Sequence, residues 1–154
     1  MARHYTTVEQ SKKLLELGLS PESADMVWGS VCYEGSPENG DENGWNCYLD
    51  PSTNHFYYAD LLESYSYDGD NEKKYPSIPC WSVGALRRLL PLGIKKNAQT
   101  YLFSNHNRED GSFVYLYGID NNVYIQSTGS DINACYEIMC WLLENNYIEK
   151  DGKD

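Results

Sequence analysis

The stretch SDINACYEIMCWLLENNYI near the C-terminus limits the fold more than any other part of the chain. Ile132, Cys135, Ile138, Met139, Leu142 and Leu143 recur at the three- and four-residue spacing of one helical face, and Tyr136 and Trp141 extend it round the sides. Ser130 or Asp131 is placed to cap the helix, which the spacing carries to about Asn145. A face that wide must be covered. The rest of the chain therefore has to supply a matching apolar surface.

Three upstream runs can do so. TYLFS from Thr100, SFVYLYG from Ser112 and NVYIQS from Asn122 read as strands, and NHNREDG and GIDNN between them are turn chemistry. His106 falls in the first of those turns. An antiparallel meander is the economical arrangement. Alternation places Val114 and Leu116 on one face with Val123 and Ile125, and Phe113, Tyr115, Tyr117 and Tyr124 on the other. Two further helices are expected. One runs from Val8 to about Leu17, with Thr7 and Gln10 at capping-box spacing and Gly18 where a left-handed residue ends a helix. The other starts after Ser82 and is stopped by Pro91. Ser20 and Pro21 suit at most one helical turn between them. The expected fold class is α+β, a small antiparallel sheet of three strands or slightly more with helices packed on one face. At 154 residues the chain fits a single domain over 1–154.

Residues 29–77 differ in character. GSPENGDENG is a loop by composition, while WNCYLD and HFYYADLLESYSYD are rich enough in aromatics for strands or a short helix. This is the expected insertion or binding surface. The net charge of -11 is concentrated there: ten acidic residues and no lysine or arginine lie from Glu34 to Glu72, against thirteen acids and twelve bases elsewhere. A localised negative patch steers a basic protein partner, and it disfavours nucleic acid, whose phosphates need concentrated Lys and Arg. Carboxylates about 10 Å apart repel by only a few tenths of a kcal/mol per pair in salt water, so the patch is tolerable. Within it Tyr57, Tyr58, Tyr65 and Tyr67 alternate with Asp60, Glu63, Asp68 and Asp70, and tyrosine suits an interface because a large ring carries a polar tip. These eight are the candidate binding residues. The competing reading is a solvated acidic loop.

The attractive chemistries lack parts. Cys80 in IPCWSVGALRRLL stands near a helix start, as in papain-like peptidases, and a thiol there can ionise more easily. The glutamine that precedes the cysteine in those enzymes is absent, and His106 is the only histidine downstream. A small thiol-dependent hydrolase using Cys80 remains the enzymatic alternative to a buried structural cysteine. No metal is expected, because the three histidines and five cysteines show no ligand-pair spacing. Cys135 and Cys140 would lie about 140° apart round their helix. DGDNEKK resembles a calcium loop but has Lys73 where that loop needs glycine and Pro79 where it needs glutamate. No phosphate cradle or nucleophile elbow occurs, so no cofactor is expected. The tyrosine face of the meander, with Tyr115, Tyr117 and Tyr124, can stack a ligand, though such residues also suit the half-exposed side of any sheet.

No apolar run is long enough to cross a bilayer, and MARHYTTVEQSKK has no apolar signal segment, so a cytoplasmic protein with reduced thiols is expected. The blocks EQSKKLLELGLSPESADM, IPCWSVGALRRLLP and INACYEIMCWLLENNYI resemble, in pattern and order, a group of small uncharacterised proteins of intestinal anaerobic bacteria and their prophages. In that group the blocks frame a short sheet. The resemblance covers about a third of the chain and supplies no established activity; the expected function is that of a non-enzymatic accessory protein of a phage or mobile element that binds another protein. It carries over no catalytic residue.

Overall fold

Each helix begins where the sequence supplies an oxygen to cap it. The computed structural model describes residues 3–30, 45–49, 64–68, 71–75 and 77–150, of which 29–30, 45–49, 64–68, 71–75 and 77 are described by backbone alone. Helix α1 spans Val8–Glu16: the Thr7 hydroxyl accepts from the Gln10 amide at 3.0 Å, and the Gln10 side chain accepts from the Thr7 amide at 3.0 Å. Two orphan donors are satisfied at once. Gly18 closes the helix at φ +98°, a conformation that costs an L side chain strain. One turn of 3-10 helix follows at Pro21–Ser23. Helix α2 spans Val83–Leu89, with the Ser82 hydroxyl accepting from Ala85. In α3, Asp131–Glu144, it is Ser130 that caps, through the Asn133 amide, and Asp131 occupies the first turn.

The strands are β1 (Met26–Ser30), β2 (Trp45–Leu49), β3 (Ser64–Asp68), β4 (Asn71–Tyr75), β5 (Ser77–Cys80), β6 (Gly93–Lys96), β7 (Gln99–Asn107), β8 (Phe113–Ile119) and β9 (Asn122–Gly129). They form three antiparallel arrangements, β2-β1-β5, β3-β4 and β6-β7-β8-β9. The protein is mixed α+β. The expected three-stranded meander gains a fourth strand, β6, which pairs with β7 through Ile94↔Tyr101. Strand β7 also runs further than expected, so His106 lies in the ladder opposite Val114 and not in a turn.

The main core lies where α2 and α3 cover the four-stranded sheet. Ile132, Cys135, Ile138, Met139, Leu142 and Leu143 of α3 are all buried there, with Leu86, Ile94, Tyr115 and Tyr117. The tyrosine side of the meander is thus the covered side. Tyr115 and Tyr117 are each 0% exposed, which corrects the expectation of a half-exposed stacking face. Tyrosine can be covered by helices there because each hydroxyl finds a partner distant in sequence. A second cluster forms where α1 meets β5: Val8, Trp28, Ile78 and Cys80 are buried, with Tyr5, Leu15 and Met26 packed around them.

One irregularity sets the edge of the sheet. Tyr117 pairs with Ile125 but Gly118 pairs with Val123, so Tyr124 is an extra residue in β9. A single-residue bulge reverses which way the following side chains point. Ile125 consequently packs on the core while Val123 is 51% exposed. The expectation that the two share a face is corrected by the bulge. Gly118 is what lets the chain pass so closely: a Cβ there would stand 2.6 Å from the Asn122 carbonyl oxygen. Gly118→Ala is expected to destabilise the fold by about 1–3 kcal/mol, the usual cost of overpacking. Urea denaturation reads this, and an unchanged midpoint would show that the bulge accommodates a methyl group.

Candidate functional site

The strands that flank the acidic segment are paired with each other. Gly29 of β1 is the register partner of Ser77 of β5, so the two ends of the intervening chain are adjacent on paired strands. Strand β2 from within that stretch adds to the other edge of β1, with Ser30 opposite Trp45. Strands β3 and β4 pair with each other, placing Tyr65 opposite Lys74, Tyr67 opposite Glu72 and Asp68 opposite Asn71. Of the eight candidate binding residues, Tyr65, Tyr67 and Asp68 therefore lie on β3. Tyr57, Tyr58, Asp60, Glu63 and Asp70 lie outside the described residues.

Cys80 is 0% exposed. Its sulfur donates to the Thr6 carbonyl at 3.4 Å and lies 3.7 Å from the Thr6 hydroxyl. It precedes the cap of α2 by two residues, on β5, so its surroundings are the second apolar cluster. A nucleophile has to reach its substrate, and this thiol is enclosed.

A polar group that sequence reading missed sits between α2, α3 and β8. The Tyr115 hydroxyl donates a short hydrogen bond to Asp131 and accepts one from Arg87 Nε at 2.7 Å. Arg87 also stands 3.7 Å from the Asp131 carboxylate. The placement follows from the helices: Arg87 is in the last turn of α2 and Asp131 in the first turn of α3, so each charge complements its helix dipole. Burial pushes the Tyr115 phenol well above its ordinary range, and the bond to Asp131 acts in the same direction. Tyr117, whose hydroxyl donates to the Pro91 carbonyl at 2.7 Å, is raised by burial as well. Cys135 is pushed up to about 12, chiefly by burial and then by the nearby Asp131 carboxylate. A group tuned for acid–base work at neutral pH would be moved toward 7, and these move away from it. The cluster is a fastening between two helices and a sheet.

Tyr124 belongs elsewhere, in a row of rings at the end of the sheet. It stacks on Tyr101 at 4.5 Å between centroids and meets Trp141 edge-on at 5.7 Å, and Trp141 stacks on Tyr147 at 5.4 Å. Lys96 reaches over Tyr124 with its Nζ 5.2 Å from the ring centre. The rings occupy one another's faces, and Tyr124 is separated in role from the enclosed Tyr115 and Tyr117. Among the described residues no three His, Cys, Asp or Glu side chains gather as a metal site, and no helix is long and apolar enough to cross a membrane.

Two measurements check this account. Cys80 is expected to resist iodoacetamide in the native protein at neutral pH and to react fully in denaturant; rapid native labelling, read by mass spectrometry of the Cys80 peptide, would overturn its enclosure. The second is alkaline stability. Folding raises Cys135 from 9.0 to about 12, so the folded state holds its proton more tightly than the unfolded state. Cys140, raised by burial to about 11, and the two buried phenols act alike. Their stabilisation is complete below about pH 9 and is lost as pH rises toward 12. The melting temperature should hold up to about pH 9 and then fall steadily; a flat profile up to about pH 11 would contradict it.

In comparisons with protein-family models, with curated proteins and with solved structures, nothing matches this chain.

Proposed function

We propose that this chain is a non-enzymatic cytoplasmic accessory protein, associated with a phage or mobile element, that binds a basic protein through its acidic tyrosine-rich segment. The observation that carries the reading is the coincidence of charge and topology. Residues 31–76 hold ten acids against two lysines, and the flanking strands β1 and β5 pair directly at their base. The helices, by contrast, use their residues to fasten the core. A localised negative charge between fixed strands attracts an oppositely charged surface and speeds its encounter.

Tyr57, Tyr58, Tyr65 and Tyr67 supply ring area for the contact, and Asp60, Glu63, Asp68 and Asp70 supply the charge. The test is affinity capture from extract of the source cells, comparing the native chain with one carrying Asp60→Lys, Glu63→Lys, Asp68→Lys and Asp70→Lys. The native chain should retain a basic protein that is released as salt rises, and the reversed chain should lose it. Capture of the same proteins by both chains, at equal strength, would remove the reading.

A further inference from the structure

The four-stranded sheet has two edges of opposite chemistry. At one side β6 is four residues long, and two of them are the exposed Lys95 and Lys96. At the other, β9 runs eight residues, Asn122–Gly129, without a charged side chain or a proline. The outer edge of a strand presents backbone N–H and C=O groups ready to pair with another strand. Shortness and lysine are two means of blocking that, and β6 has both while β9 has neither. Among the described residues β8 is the only strand paired with β9. The bulge at Tyr124 disturbs only the start of the strand, because Ile125 to Gly129 run in unbroken register with Tyr117 to Phe113. Both ends are pinned, by the turn at Asp120–Asn121 and by the Ser130 cap of α3. An edge already ordered loses little further freedom on pairing.

We infer that β9 is a homotypic docking edge, pairing antiparallel with β9 of a second copy across a two-fold axis. Charge selects this occupant. A basic partner finds no carboxylate on β9, whereas a second copy presents the same uncharged strand and brings no like charges into register despite the net charge of -11. A strand is also self-complementary under two-fold symmetry when it pairs antiparallel with itself. The row Leu102, Gly118 and Val123 crosses the outer face to this edge, and Leu102 and Val123 are 62% and 51% exposed. Apolar surface thus lies beside backbone that no strand among the described residues pairs. Strand β9 belongs to a different sheet from β2, β3 and β4 of the acidic segment, and the inference does not rest on the proposed function.

The experiment is sedimentation velocity on the full chain from about 1 μM to about 1 mM, the range in which a modest interface becomes populated. The native protein should pass from monomer to dimer. Gln126→Lys with Thr128→Lys, at two exposed positions of β9, should weaken association by about tenfold or more while leaving the melting temperature in the dilute monomer unchanged. A native chain that stays monomeric throughout overturns the inference, and so does a dimer that the double variant forms equally well. Amide exchange on the native chain gives a readout free of substitutions: β9 amides should slow as concentration rises, and rates independent of concentration would also overturn it.

Discussion

Thr6 is the point on which the two apolar clusters are tied together. It is 0% exposed, and every polar atom it has is used. Its amide donates to the Trp81 carbonyl at 2.9 Å, and its carbonyl accepts from the Trp28 indole at 2.9 Å and from the Cys80 thiol. Its hydroxyl accepts from the Trp81 amide at 3.1 Å and meets the Ser11 hydroxyl at 2.8 Å. One residue therefore joins the N-terminal arm, α1, β1, β5 and the approach to α2. A buried polar group without partners costs about 1–3 kcal/mol, so a fully partnered group fixes one arrangement among the packings apolar contacts alone would permit. Asp25 adds a second tie nearby, accepting from the amide of Ser82 at 2.9 Å and from its hydroxyl. The helix that positions Arg87 is thus anchored at its start by residues from two distant parts of the chain, the N-terminal arm and Asp25.

The far side of that helix continues the chain of dependence. Arg87 at its end, Asp131 at the start of α3 and the hydroxyl of Tyr115 share one set of hydrogen bonds. Apolar packing between α3 and the sheet is non-directional, and it resists separation more than sliding. The polar set supplies direction. Ser127 of β9, donating to the Ala134 carbonyl, does the same at the neighbouring strand. Together they fix how α3 lies over the meander, and so define which strand is left at the rim.

Much of the helical framework was legible because capping is local. Thr7, Gln10, Gly18, Ser82 and Ser130 signal their roles within a few residues of themselves, and the structure uses each as expected. The apolar face of α3 was legible for the same reason. What the tyrosines do was not, because strand alternation separates two faces without saying which one is covered. Tyr115 and Tyr117 are buried only because Arg87, Asp131 and the Pro91 carbonyl arrive from elsewhere in the chain. Strand β6 escaped notice because GIKK has no strand-like composition and is held in place by its neighbour β7. The bulge at Tyr124 is likewise a long-range outcome, set by the closeness of Gly118 to Asn122. For the candidate binding residues, charge concentration could be read directly, while the pairing of β1 with β5 that gathers its ends depends on contacts between Gly29 and Ser77 that no local pattern announces.

That pairing has a consequence for the length of the chain between the strands. Closing a longer flexible loop costs only about 0.6 kcal/mol for each doubling of its length. The pairings of β1 with β2 and with β5 fix where the joining chain begins and ends, and by that rule they bound its length only weakly. The helices and the paired strands are held by packing and hydrogen bonds, whereas the lengths that join β1 to β2 and β2 to β5 are bounded chiefly by the need to close.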